Sequence, residues 1–365
     1  MMKGKKIAFY IARYSHSGVP LAQIRLAKAF LRRGYKIEFL IGYTSPNLKI
    51  PVIPGAKVIN LNISRTSLLI YPIAKHIKKY KPDIIFSAED HLNTIVSMAA
   101  FFVRSEAKIS ASSRISPYRT YSDKLLSKEW VLKYLNPIAR RRIDVNVCVS
   151  KDMIKAYQEI FGETNHQAIY NIAYDQDTSI KMSEIIEDAW IADNSIPLVI
   201  TAGRLSPGKG FPDLINAIDI LKCEMPIKLA ILGEGESRKE LESLIKSKNL
   251  EDTVRLLGFQ SNPLKYFNKA NVFVLSSYFE GLPNVLIEAM ASGCSVVSTD
   301  CPTGPREVLQ DGKFGDLIPM HNPEAMAKAI KKSLINPTSE ELLNEAIAPF
   351  REMYVIEQHL KSLRL

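Results

Sequence analysis

The sequence predicts an α/β protein of two doubly wound parallel-sheet domains, on three observations. Short, continuous apolar runs alternate with helix-period stretches over roughly the first 160 residues, and the alternation restarts at Leu198. Between the two series lies a polar, acidic stretch around Tyr170–Ala192. The 365 residues exceed one comfortable hydrophobic core. Runs that are apolar throughout mark strands covered on both faces, as in parallel sheets built from βα units.

The elements come in order. Lys6–Tyr10 reads as the first strand, because its apolar run is too short for a signal peptide and is soon interrupted by Arg13 and His16. A Ser-His-Ser-Gly-Val-Pro loop leads to a helix over Leu21–Arg33, closed by Gly34. Strands are predicted at Ile37–Ile41, Val58–Leu61, Pro82–Phe86, Lys108–Ala111 and Asp144–Val149, with helices through Lys79 and over Leu92–Val103. Ser150 is the expected N-cap of a helix through Ile160. The second series has strands at Leu198–Ile200, Lys228–Leu232, Val254–Leu257, Val272–Leu275 and Ser295–Ser298, then a helical tail from Asn322. The predicted boundaries are 1–170 and 171–350, with 351–365 a helix that packs back on the first domain.

Composition narrows the class. Hydrophobic content of 46% and charged content of 24% describe a folded chain without extensive disorder. Cys148, Cys223, Cys294 and Cys301 lack metal-site spacing and read as buried free thiols of a reducing compartment. No run reaches the roughly 18 apolar residues of a membrane-spanning helix. Residues 1–180 carry 28 Lys and Arg against 13 Asp and Glu, a net of +15, while residues 181–365 carry 20 against 25, a net of −5. The first half is therefore expected to meet an anionic partner, a membrane or a nucleic acid. The segment 125–142 mixes apolar, aromatic and basic residues, ending in Arg140-Arg141-Arg142; it fits either a membrane interface or an ordinary packed helix.

Chemistry concentrates at the strand ends of the second half. Phe-Glu-Gly-Leu-Pro-Asn-Val-Leu-Ile-Glu, Phe279–Glu288, turns from a strand into a helix, so helix-start N–H groups face the space beyond the strand. Glu280 and Glu288 bracket that turn. Gly203-Arg204-Leu205-Ser206-Pro207-Gly208-Lys209-Gly210 lies after another strand. Its glycines permit tight turns, Arg204 offers a planar fork and Lys209 a compact charge for phosphate oxygens. Solvated turn residues are the competing reading of the same spacing. The Gly-Lys-Ser/Thr ending of a P-loop is absent. Together the two loops suggest a nucleotide-sugar site. Leu232-Gly233-Glu234-Gly235 is either a backbone approached by ligand or a plain turn. Arg306 and Glu307 either face a cleft or pair with each other, and His16 and His91 are each a base or a local cap.

These motifs resemble the GT-B-fold retaining glycosyltransferases of family 4. The resemblance covers the second domain through Gly203–Gly210, Leu232–Gly235, Leu257-Gly258-Phe259 and Glu280–Glu288, and is weaker in the first. Cys301–Leu309, Cys-Pro-Thr-Gly-Pro-Arg-Glu-Val-Leu, is similar to the bacterial branch that builds surface polysaccharides on lipid carriers. The resemblance implies two Rossmann-like domains facing each other across a cleft. It implies that Arg204 and Lys209 neutralise the donor diphosphate, that Glu288 binds ribose, and that Glu280 sits by the donor sugar. It also brings the backbone at Gly281, Leu282 and Asn284 to the sugar and phosphates, with Gly203, Gly235 and Phe259 contributing to the nucleotide site. Gly18 matches a glycine-rich loop, but Ser17 replaces a second glycine and Val19-Pro20 the usual continuation. The family's mid-domain histidine is replaced by Ser112-Ser113-Arg114, which makes Arg114, with Asn171 beside it, the expected cleft residue. The implied reaction moves a hexose or N-acetylhexosamine, with retention, from a UDP-sugar to a lipid-linked glycan. No cofactor and no metal is expected from this resemblance. The expected location is the inner face of the cell membrane, held peripherally by the basic domain. A lipooligosaccharide-core acceptor is the alternative. Nucleic-acid binding is not expected, because no basic groove with interleaved aromatics is evident.

Overall fold

The computed structural model describes residues 4–15, 18–46, 48–50 and 52–365. The chain divides into two compact units, Met1–Ile172 with Glu352–Leu365, and Ala173–Arg351.

The first unit is built on seven strands, β1 Lys6–Tyr14, β2 Lys36–Thr44, β3 Ala56–Asn60, β4 Ile84–Ala88, β5 Lys108–Ser113, β6 Val145–Cys148 and β7 His166–Ala168. They form one parallel sheet in the order β3-β2-β1-β4-β5-β6-β7. Residues 7–10 are buried on both faces, as their unbroken apolar run requires. Phe9 lies in register with Phe39 and Phe86 and stacks on both, at ring-centroid separations of 5.1 and 5.0 Å. The sequence pattern ends β1 at Tyr10. The strand continues because exposed Arg13 stacks its guanidinium over Tyr43 of β2, 5.1 Å from the ring centroid, while Tyr14 turns inward. Helices Gly18–Arg32 and Glu352–Ser362 cover one face, contributing Ile24, Phe30, Val355 and Ile356 to a common core. Arg32 pairs with Glu352 where they meet. Helices Ile70–Tyr80 and Asp90–Phe102 supply the core of the opposite face.

The stretch 165–196, between the two βα series, holds regular structure. His166–Ala168 adds the edge strand β7, and Asp175 and Thr178 form a reciprocal capping box that starts helix Gln176–Met182. Asp188 caps the short helix Ala189–Ala192.

The second unit has six parallel strands, β8 Leu198–Ala202, β9 Lys228–Leu232, β10 Val254–Gly258, β11 Val272–Leu275, β12 Ser295–Thr299 and β13 Asp316–Ile318. Their order is β10-β9-β8-β11-β12-β13. β13 is not predicted from sequence; three residues, two of them half-buried, carry no readable periodicity. In each sheet the strand order reverses once, between β1 and β4 and between β8 and β11. Ligands of doubly wound sheets bind outside the carboxyl ends of the strands at such a reversal.

Cys148, Cys294 and Cys301 are buried free thiols, but Cys223 is exposed. It caps the carboxyl end of helix Phe211–Lys222, where Lys222 and Glu224 also face water. Among the described residues no helix is long and apolar enough to cross a membrane.

Candidate functional site

In the second unit the loops after β8, β11 and β12 are fastened to one another. Tyr278 N–H donates to Gly208 O at 2.9 Å, and Ser276 Oγ donates to Lys209 O at 2.8 Å. Glu280 N–H donates to Pro302 O at 2.8 Å, while Thr303 Oγ1 donates to Glu280 O at 3.1 Å. Gly210 is required at this junction: it has φ +61°, and a β-carbon there would overlap the Ser276 carbonyl.

Lys209 Nζ donates to Glu280 Oε1 at 2.6 Å, and Ser277 Oγ donates to the same oxygen at 2.6 Å. The Glu280 side chain is only 12% exposed, so this arrangement fixes it. Its Oε2 accepts no hydrogen bond among the described residues and stays available to a ligand donor. Arg204 is exposed and has no ion-pair partner among the described residues. The N–H groups of Gly281 and Leu282 likewise donate to no acceptor among the described residues, just before helix Asn284–Ala291. Half-buried Glu288 sits in the second turn of that helix. One exposed guanidinium, one paired ammonium, two unused N–H donors and a carboxylate oxygen suit an anion that also carries hydroxyls.

Beside them are the ends of β9 and β10. Gly233 N–H donates to Gly258 O at 2.8 Å, and Leu205 N–H to Glu234 O at 3.0 Å. β-Carbons at Gly233 and Gly235 would overlap the carbonyls of Gly203 and Leu205, so these glycines let two loops pack backbone against backbone. Phe259, after β10, is 59% exposed. Arg306 pairs with Asp300 and also with Asp311, at 3.1 Å, which replaces the predicted choice between a cleft-facing side chain and a bond to Glu307. The two aspartates lie in the turns that flank its short helix.

Gly18, Arg114 and Asn171 belong to the first unit. Gly18 opens helix Gly18–Arg32, and its neighbours His16 and Ser17 lie outside the described residues. Arg114 comes directly after β5 and donates to Asn171 Oδ1. Burial pushes the Arg114 guanidinium down to about 10, against the opposing charge of Glu89. His91 stands 3.8 Å from Glu89. Glu89, at the end of β4, is not singled out by the sequence reading. Burial pushes its carboxyl up, His91 and Arg114 oppose the shift, and Asp90 adds to it. An acidic pair directly after a strand at the sheet's reversal is the signal that would have found it. Its neighbour Asp90 is structural: buried, it accepts from Ser113 Oγ at 2.6 Å and from the hydroxyls of Tyr121 and Tyr157.

The family model described as Glycosyl transferases group 1 matches residues 182–348, which hold all of these second-unit loops. The second unit is a group 1 glycosyltransferase domain. The chain is 32% identical over 255 residues to an uncharacterized glycosyltransferase of Methanocaldococcus jannaschii, covering 66% of this chain and 61% of that protein. It is 44% identical over 149 residues to the N-acetylgalactosamine-N,N'-diacetylbacillosaminyl-diphospho-undecaprenol 4-alpha-N-acetylgalactosaminyltransferase of Campylobacter jejuni, 41% of this chain and 40% of that enzyme. The chain thus spans between two-fifths and three-fifths of the length of these two relatives. Among solved structures, Anabaena HepE in complex with UDP superposes with a TM-score of 0.77 at 20% identity, over 98% of this chain and 99% of that one. The fold is the GT-B fold of these glycosyltransferases, two Rossmann-like units in one chain.

Proposed function

We propose that the chain transfers a hexose or N-acetylhexosamine, with retention, from a UDP-linked donor to a lipid-linked glycan of surface polysaccharide biosynthesis. The observation that supports this is the junction of the β8 and β11 loops, where Lys209 is bonded to Glu280 next to the unused N–H groups of Gly281 and Leu282, with exposed Arg204 on the same β8 loop as Lys209. In this reading Arg204 and the N–H groups take the diphosphate, and Glu280 Oε2 a sugar hydroxyl. Glu288 takes the ribose, and Phe259 with Gly235 lines the nucleotide side. Charge builds on the diphosphate as the glycosidic bond breaks, and fixed donors stabilise it more in the transition state than before. The acceptor oxygen attacks from the face the diphosphate leaves, and a diphosphate oxygen takes its proton. These steps use protein donors alone, without a metal. UDP in the HepE complex and a diphospho-undecaprenol glycan in the Campylobacter enzyme's name support the donor and acceptor classes.

Calorimetric titration with UDP-, GDP- and ADP-sugars tests the donor. UDP-sugars are expected to bind, and Arg204→Ala and Glu288→Ala each to weaken binding at least about tenfold, the loss of one charge-assisted contact. Unchanged affinity in both variants removes the assignment.

The same reading places the first unit against an anionic bilayer. Helix Lys128–Arg140 buries only Asn136 and Ala139, and Ser97 Oγ donates to Ala139 O at 2.6 Å to hold it beside helix Asp90–Phe102. Tyr134 and Ile138 are exposed on it, as are Leu126 before it and Phe101 and Phe102 next to it. Exposed Lys128 and Arg141 lie on the same helix or directly after it, whereas Lys133 pairs with Asp123 and Arg140 turns inward over the rings of Tyr157 and Phe161. Vesicles containing phosphatidylglycerol are expected to bind the protein, less so in high salt, and Ile138→Glu with Tyr134→Glu to reduce binding at least about tenfold. Equal binding to neutral vesicles at any salt contradicts it.

A further inference from the structure

Sugar transfer as described above gives no task to the loop after β12, Cys301-Pro302-Thr303-Gly304, yet this loop holds the backbone that carries the unused N–H donors. Thr303 Oγ1 lies 3.1 Å from Glu280 O and 3.3 Å from Gly281 O, so its single proton is shared between two consecutive carbonyls. Thr303 N–H also donates to Glu280 O, at 3.2 Å, and Glu280 N–H returns a bond to Pro302 O at 2.8 Å. Gly304 closes on the same backbone: a β-carbon there would stand 2.2 Å from Gly281 O and 2.8 Å from Pro283 Cδ. The loop is itself fixed at both ends. Thr299 Oγ1 donates to the Ser277 carbonyl at one end. At the other, buried Pro305 begins helix Pro305–Val308, and Arg306 on that helix pairs with Asp300.

These contacts decide where two N–H groups point. A trans peptide is planar, with its C=O and N–H directed to opposite sides. The peptide that carries Glu280 O also carries Gly281 N–H, and the peptide that carries Gly281 O carries Leu282 N–H. With both carbonyls drawn to Thr303, both N–H groups face away from it, where they meet no acceptor among the described residues. The restraint matters because Gly281, which joins the two peptides, has no side chain to hold them. A peptide turned over at that glycine would present a carbonyl oxygen where a phosphate needs a donor.

We propose that Thr303 is a positioning residue for sugar transfer: its hydroxyl holds the Glu280 and Gly281 carbonyls so that the Gly281 and Leu282 N–H groups meet the donor diphosphate. This role rests on the donor assignment above, and it falls to a residue that touches no substrate.

Three variants and one spectrum test it. Thr303→Val removes the hydroxyl at nearly constant shape, Thr303→Ala removes it together with the methyl group, and Thr303→Ser keeps it. Turnover, read as UDP release with donor and membrane glycolipid, is expected to fall at least about tenfold in Thr303→Val and Thr303→Ala. In Thr303→Ser it is expected to stay within about threefold of the parent protein. All three are expected to melt within about 4 °C of the parent protein, the scale of one lost hydrogen bond. In NMR of protein labelled at its glycine and leucine amides, UDP is expected to move the Gly281 and Leu282 amide protons downfield in the parent protein and in Thr303→Ser. In Thr303→Val they are expected to move less than about half as far. Turnover within threefold of the parent protein in both Thr303→Val and Thr303→Ala, or an equal loss in Thr303→Ser, overturns the proposal. So do amide shifts of the same size in Thr303→Val and the parent protein. A parent protein that binds none of UDP, GDP and ADP removes the donor assignment, and the role of Thr303 with it. One that binds a nucleoside diphosphate without moving either amide removes the role of Thr303 alone, and Arg204→Ala still decides the donor site.

Discussion

Lys209→Ala is expected to lower turnover in sugar transfer by about 100-fold or more, the scale on which one fixed donor to a developing negative charge acts. The structure makes the effect twofold in origin. Lys209 Nζ is bonded to Glu280 Oε1 at 2.6 Å, so its loss removes a cation from the diphosphate side and strips the largely buried Glu280 of its partner. Removing one member of such a pair leaves a carboxylate short of compensation, which costs more than the pair contributes. Glu280→Gln, which keeps the shape and the Ser277 contact, separates the two causes. If Lys209 acts only by holding Glu280, Lys209→Ala with Glu280→Gln recovers most of the turnover. If Lys209 acts on the phosphates, the double variant stays about as slow as Lys209→Ala. Steady-state UDP release with donor and membrane glycolipid measures both. Turnover within threefold of the parent protein for Lys209→Ala contradicts the assignment.

Gly233→Ala is expected to destabilise the second unit by about 3 kcal/mol or more, among the larger effects of single substitutions. Gly233 has φ +143°, and a β-carbon there would overlap the carbonyl oxygen of Gly203. Both strand ends are fixed by hydrogen bonds, Gly203 N–H to Leu232 O at 2.9 Å and Gly233 N–H to Gly258 O at 2.8 Å, so neither loop moves aside cheaply. Gly293 supplies the control. It has φ +91° with no atom within 4 Å of a β-carbon, so Gly293→Ala carries backbone strain alone, about 1–2 kcal/mol. Urea unfolding of the two variants measures the difference. Equal midpoints would mean that the loop contact at Gly203 contributes nothing.

The layered fold was legible because parallel strands buried on both faces are written as unbroken apolar runs, as in Leu198–Ile200 and Val272–Leu275. Short edge strands were not. β7 and β13 have three residues each and one covered side, so His166–Ala168 and Asp316–Ile318 carry no run to read. The loops after β8 and β11 were legible for a different reason. Glycine, proline and charge at fixed spacing are demanded by close backbone approach, and such demands are visible one residue at a time. Pairing in space was hidden. Nothing in the sequence joins Lys209 to Glu280, 71 positions apart, or Arg306 to Asp300 and Asp311 rather than Glu307. Glu89 escaped notice because the sequence shows only an acidic pair after a strand, while the feature that sets it apart, its positive φ, is visible in the structure alone.

The claim on which the rest depends is that the β8 and β11 loops of the second unit grip a diphosphate. A structure determined with UDP bound tests it most directly. The expected result places diphosphate oxygens about 2.7–3.2 Å from the Arg204 guanidinium and from the N–H of Gly281 or Leu282, with ribose hydroxyls on Glu288. UDP bound elsewhere on the chain, with those groups still facing only solvent, contradicts it.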